Sequence, residues 1–347
     1  MSLARAIETG DVAEVPSRRD EDWRWTDLAG LVRAIPPRSP EADAAILSDG
    51  PFADGADCEI VFLNGRSRQV GPVRVDAGER RTVALRFVSR ATATAHLSEL
   101  AIEVAPRGVL VLLESYEGEG RSYLADAQIA IRLGEGARIE RIVIVDEAAD
   151  AIAVSTAEVD LGARARFAQT VLSRGARRQR FETHIRHGEH AEVRLDGVYL
   201  LDGDRRADLT SEVLHGHPNA VTVQLTKGCV RDQARGVFQG RIIVARGADG
   251  ADARMGHHAL ILSGRAEVDA KPELEIYADD VACSHGNTVG ALDEETLFYM
   301  RQRGLPDGEA RAVLTEAFVG EVVDRIEHEA ARDVARAWVT AHLRVQA

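Results

Sequence analysis

From about residue 86 to 290 the apolar positions come in short, β-branched stretches alternating with polar ones, and helical periodicity is absent. A period of two marks half-buried strands. A weak repeat runs through this stretch: Leu133-Gly134-Glu135-Gly136-Ala137-Arg138-Ile139, then the segments from Leu161, His187 and Ser263. Their leading glycines, Gly134, Gly162, Gly188 and Gly264, lie 28, 26 and 76 residues apart, the last close to three further steps of the same size. One strand-turn-strand coil per repeat would stack neighbours around a continuous core, which predicts a β-solenoid. The competing arrangement is a β-sandwich whose turns use glycine.

The flanks differ. Over residues 1–85 the pattern is helical and irregular: acids ahead of Trp25, Leu28, Leu31 and Val32 predict a short amphipathic helix, and Pro36, Pro37 and Pro40 stop it. Cys58–Leu63 has a strand pattern ending in Asn64-Gly65, a dipeptide that supplies the positive φ of a tight turn. After residue 291 the pattern turns helical. Asp293-Glu294-Glu295 opens one helix, closed by Arg303-Gly304; Pro306-Asp307 opens a second through Ala310, Leu314, Phe318, Val322 and Ile326. A third runs through Val334, Trp338, Ala341 and Val345. The chain thus divides into an N-terminal region (1–85), a β core (86–290) and a C-terminal helical subdomain (291–347).

Composition narrows the functions open to such a fold. The 347 residues are 45% hydrophobic, and 56 acidic residues against 43 Lys plus Arg make the formal charge −13. Such a balance argues against a surface built for nucleic acid or anionic lipid. Acids interrupt the first residues where an export signal would be apolar, and no apolar run nears the roughly 20 residues a membrane span requires, so a cytoplasmic protein is expected. The three cysteines, Cys58, Cys229 and Cys283, form no CxxC pair, so neither a closed thiolate site nor a disulfide framework is expected. GxxxxGK[ST], GxSxG, HExxH and a strand-linked GxGxxG are absent, and ATP hydrolysis by this chain is not expected.

Histidines and one cysteine are the remaining chemical candidates. At a spacing of three, strand positions His184, His187 and His190 fall on alternate faces and diverge. Of the adjacent pair His257 and His258 at most one faces any given partner. Cys283 and His285, two apart in a strand-like segment, project from one face about 7 Å apart, a soft and a borderline donor suited to Fe(II) or Zn. On spacing alone Cys283 is also simply a small hydrophobe.

The segment from Lys271 to Gly304, with Cys283-Ser284-His285-Gly286 at its centre, closely resembles the C-terminal signature of the SufD family, subunits of the SUF iron-sulfur cluster assembly machinery. Gly236-Val237-Phe238-Gln239-Gly240 resembles a further motif of that family, and Pro16 through Leu28 its N-terminal motif around a tryptophan. The resemblance implies a right-handed parallel β-helix with helical flanks, a non-catalytic scaffold pairing with the related SufB and with the ABC ATPase SufC. It implies that the C-terminal helices, with Leu292, Leu297, Phe298, Leu314 and Phe318, dock the ATPase. It also implies that His285, with Cys283 beside it, meets iron or a nascent cluster transiently at the SufB interface, none being held tightly by the isolated chain. Where SufB carries an acceptor cysteine this chain has His257-His258, which favours SufD over SufB and makes the two histidines further candidate ligands. The alternatives are a SufB-like paralogue, a structural β-helix homodimer without cluster chemistry, and a β-helix enzyme acting on acidic polysaccharide, which would need a basic groove and export.

Overall fold

A computed structural model describes residues 1–41, 47–69 and 71–344, and in it the chain winds into a parallel β-solenoid of about eight turns with two strands per turn. One sheet holds β1 (Cys58–Leu63), β3 (Arg80–Ser89), β5 (Val109–Gly118), β7 (Arg138–Asp146), β9 (Arg166–Ser173), β11 (Glu192–Leu201), β13 (Val221–Val230), β15 (Ala251–Ile261) and β17 (Val281–Gly290). The other holds β2 (Val73–Val75), β4 (Ala95–Val104), β6 (Leu124–Leu133), β8 (Ile152–Leu161), β10 (Arg178–Arg186), β12 (Arg206–His215), β14 (Arg235–Val244) and β16 (Glu267–Ile276). Every neighbour is two strands away in sequence and parallel, as in Glu192↔Val221 and Val221↔Asp252, so the sandwich alternative does not hold. The ladder reaches back to Cys58, ahead of the stretch in which alternation is clear.

Glycines stack where turns stack. A Cβ on Gly162 would lie 2.8 Å from the carbonyl carbon of Gly134, and one on Gly188 would lie 2.5 Å from that of Gly162. No side chain fits in that column. Gly264 is not part of it: it follows β15, at the opposite edge of the coil, with nothing within 4 Å of an added Cβ. The repeat inferred from four glycines is therefore real for three and half a coil out of phase for the fourth.

Alternate side chains fill the lumen with one continuous apolar cluster from Phe62 to Ala266. One internal ion pair interrupts it: Arg141 donates to both carboxylate oxygens of Glu114 at 2.7 and 2.9 Å and to Gln169 at 2.8 Å, all buried. Each charge meets its opposite and a further guanidinium N–H finds an amide oxygen, which lowers the penalty for burying the ions.

Both outer sheet faces are partly roofed. N-terminal residues cover the even-numbered sheet, with α1 (Leu3–Thr9), Leu28 and Val32 packed on Leu97, Ile152 and Val154. The helix expected over Trp25–Val32 is absent; a single 3-10 turn at Glu21–Trp23 leads into further turns. Tertiary bonds take the groups a helix would use: the Leu28 and Ala29 amides donate to the Pro16 carbonyl, and Arg180, beneath the Trp23 ring at 4.3 Å, donates to the Asp22 carbonyl at 2.6 Å. Asn64 and Gly65 do form a tight hairpin turn, with φ of 51° and 80°, closed by an isolated antiparallel bridge in which Leu63 and Arg66 exchange backbone hydrogen bonds at 2.8 and 3.1 Å, while the ladder of β1 itself is parallel, with β3. On the odd-numbered sheet lie α3 (Asp307–Val323) and α4 (Glu329–Arg344), preceded by α2 (Glu294–Gln302). Val319, Val322, Ile326, Trp338 and Val339 bury against Ile142, Ile144, Leu172, Val198 and Leu200. The Glu140 carboxylate accepts from the Glu327 and His328 amides at 2.6 and 3.0 Å, fastening the start of α4 to the sheet. Val345 lies outside the described residues. No helix among them is long and apolar enough to cross a membrane.

Candidate functional site at the open end of the solenoid

A solenoid has two ends, and here they differ. At the first, the terminal strands are short, six residues in β1 and three in β2. At the other, β16 and β17 are ten residues each and have a strand neighbour on one side only. Outward positions of β16 carry Glu267, Asp269, Lys271, Glu273 and Glu275, and Pro272 interrupts the strand from the lumen side, the usual protection of an edge. β17, Val-Ala-Cys-Ser-His-Gly-Asn-Thr-Val-Gly, has neither charge nor proline and is exposed over most of its length.

Period two places Val281, Cys283, His285, Asn287 and Val289 on the lumen side of β17, with Val281 and Cys283 packed against the lumen cluster. No further coil covers this face. Cys283 and His285 therefore share a face, as their spacing predicts. Cys283 is half-buried and burial raises its thiol pKa, while His285 is exposed and makes no hydrogen bond or ion pair among the described residues. No group of three His, Cys, Asp or Glu side chains among those residues is placed to hold a metal ion.

His257 and His258 part company as strand geometry requires. His258 points outward, its Nδ1 2.7 Å from Thr288 Oγ1. His257 points into the lumen and is fully buried, stacked on Phe238 at 4.7 Å, with Nε2 2.9 Å from the Tyr199 hydroxyl and Nδ1 2.7 Å from Asn287 Oδ1. Burial lowers its pKa to about 4. Both ring nitrogens are thus occupied within the chain, and the ring is a support and not an open ligand. Glycines clear the space around it: a Cβ on Gly228 or Gly236 would sit 1.9 or 2.4 Å from the Tyr199 ring, and one on Gly240 2.5 Å from Met255 Sδ. Asn287 and Tyr199 are the residues that sequence reasoning missed. For Asn287 a signal existed, since it shares parity with Cys283 and His285; for Tyr199 the sheet register was needed.

The other histidines also diverge. His187 is buried with its ring 4.4 Å from that of His215, both bonded to Thr222 Oγ1, whereas His184 pairs outside with Glu182 at 3.1 Å and His190 is exposed.

The five helix residues expected at a docking surface separate into two groups. Leu292 and Leu297 are buried with Ala310, and Leu314 packs half-buried on them. Phe318 is half-buried against the sheet, under Lys227 Nζ at 4.5 Å. Their role is to seat α2 and α3. Phe298, 58% exposed, stands free beside Tyr299, also 58% exposed.

The fold defines a parallel β-solenoid protein with a helical C-terminal segment riding on one sheet and one uncovered end. Residues 87–318 match the family model for "SUF system FeS cluster assembly, SufBD core domain", and the chain belongs to the SufBD family of the SUF iron-sulfur cluster assembly system. It is 27% identical to the iron-sulfur cluster assembly protein SufD of Escherichia coli, covering 94% of this chain and 88% of that protein. A SufBD family protein of Mycobacterium leprae is also 27% identical, over 91% of this chain and 87% of its own length. One from Synechocystis reaches 34% over 56% of this chain, which spans only 44% of that relative.

Proposed function

We propose that this chain is a SufD-type, non-catalytic scaffold subunit whose open end pairs with a SufB-like subunit and whose α2 and adjacent α3 receive a SufC-like ABC ATPase. The observation that carries this reading is β17: a ten-residue edge without charge or proline, its lumen side lined by Cys283, His285 and Asn287. An unprotected edge of that length is a template for another chain's strand. Iron or a nascent cluster is then cargo at the junction, held by His285 and, second to it, Cys283, with further ligands from the partner. Incomplete coordination suits a scaffold, because cargo held by a full ligand set is slow to leave. Iron binding to Cys283 would release the thiol proton that burial retains.

Phe298 and Tyr299, with Val313 at 44% exposure on α3, are the apolar surface offered to the ATPase. Removing the helices would be a poor test, since α3 and α4 cover a sheet face of the body itself. The test is co-expression with the two partners. His285→Ala should leave the complex intact and sharply lower its iron and sulfide, and Phe298→Ala with Tyr299→Ala should release the ATPase alone. Unchanged cluster content in the His285→Ala complex, or wild-type ATPase capture by the double variant, would remove the corresponding assignment. A chain that forms only homodimers would instead favour the structural alternative.

A further inference from the structure

From Tyr199 to β17 runs a hydrogen-bonded line that ends on the open face. As placed, the Asn287 carboxamide turns Oδ1 toward His257 Nδ1 at 2.7 Å. An amide oxygen only accepts, so Nδ1 carries the ring proton; Nε2 is then the acceptor, and the Tyr199 hydroxyl donates to it at 2.9 Å. Neither ring nitrogen is left idle. Its upstream members are rigid: Tyr199, His257 and Phe238 are fully buried, the two rings of His257 and Phe238 lie 11° from parallel, and Gly228 and Gly236 leave room for the tyrosine and nothing more. Asn287, by contrast, is exposed on a strand with one neighbour.

We infer that Asn287 is a contact residue of the open face and that His257 positions it. The carboxamide turns its oxygen toward the His257 ring one coil below, away from the open end. It presents an NH2 donor on the face that carries Cys283 and His285, directed at an anionic acceptor. That acceptor is either a sulfide or thiolate sulfur of the cargo or a carboxylate of the partner subunit; the chemistry recognised is the same. At the lumen position the two-ended ring of His257 joins a buried hydroxyl to an edge amide. The inference rests on the reading of the open end as the cargo junction.

The experiment uses the co-expressed complex and three variants: Asn287→Ala, His257→Phe, which keeps the stacking but not the amide bond, and His285→Ala as reference. Melting of the isolated Asn287→Ala chain should fall only modestly, because the buried His257 Nδ1–H loses its acceptor, and the variants are compared at a temperature where each remains folded. Subunit affinity is measured without iron and sulfide, and iron loss to a chelator after reconstitution. If the acceptor belongs to the partner, Asn287→Ala weakens pairing about ten-fold before cargo is added, the range for a hydrogen bond to a charged group. If it is cargo sulfur, pairing is unchanged and iron loss accelerates by a similar factor. His257→Phe should reproduce whichever effect is seen, at part of its size. Wild-type pairing and wild-type iron retention in Asn287→Ala, alongside a loss in His285→Ala, would overturn the inference and leave the junction standing. No effect in either Asn287→Ala or His285→Ala would overturn both.

Discussion

β13 and β17 are ten-residue strands of one sheet, both aligned residue for residue with β15 between them, yet they have opposite surroundings. In β13 the lumen side meets the next coil and the outer side meets α3, so that even Lys227 is buried, paired with Glu321. β17 has no next coil, and most of its residues are exposed. The backbone ladder is the same; what covers it differs. Where both faces are roofed, buried charges such as Arg141 and Lys227 meet their opposites inside the chain. Where one is open, Cys283, His285 and Asn287 keep bonding capacity for another molecule. Mutations should therefore register as stability in the covered coils and as binding at the end.

The largest effect should come from breaking a covered pair. Arg141→Ala strands the buried Glu114 carboxylate and should cost about 3–5 kcal/mol, read from the urea midpoint. A loss no larger than that of a surface substitution would collapse the distinction between the two regions.

Next is overpacking of the lumen slot. Gly236→Ala forces a methyl into the Tyr199 ring and should cost about 1–3 kcal/mol. It should also disturb the ring resonances of His257, seen by NMR, because Tyr199 is its partner.

Acid should act on the same covered region. His257 and His215 are held near a pKa of about 4 and His187 near about 3, in each case chiefly by burial. A depressed histidine contributes its full stability above its unfolded pKa of about 6.5, and loses it as pH falls toward the folded value, because only the unfolded chain takes up the proton. Each should remove up to about 1.4 kcal/mol per pH unit across that window. Glu147 and Asp196, raised to about 7 by burial, act in the opposite direction. Thermal melts of wild type and His257→Phe at pH 7 and pH 5 isolate the imidazole: the variant should lose less on acidification. An equal loss would mean His257 is not held neutral by the fold.

The smallest stability effect belongs to the open end. His285→Ala and Phe298→Ala should each change unfolding free energy by no more than about 0.5 kcal/mol while altering assembly chemistry. A large stability loss at either position would show that the exposed surface has a packing role.

Much of this was readable from residue order, since strand geometry is local. Period two was enough to bring Cys283 and His285 to one face and send His257 and His258 to opposite ones, and the Asp293 cap with Gly304 framed α2, where Asp293 accepts from the Thr296 amide at 3.0 Å. Local pattern failed where distant groups compete for the backbone. The turns after Trp23 replace a helix because Pro16 and Arg180 capture its carbonyl and amide groups, and Gly264 sits half a coil away from the column it resembles.

By itself, then, the sequence determined the strands, their faces, the three C-terminal helices and the chemical identity of the Cys283-x-His285 pair, all consequences of backbone periodicity and capping. Tertiary structure alone decided that Leu292 and Leu297 are buried while Phe298 is exposed, because amphipathic spacing names a face and not what it meets. It alone decided that Tyr199, His257 and Asn287 form one line, because their alliance depends on stacking coils about thirty residues apart, a distance at which only the register of parallel strands brings side chains together.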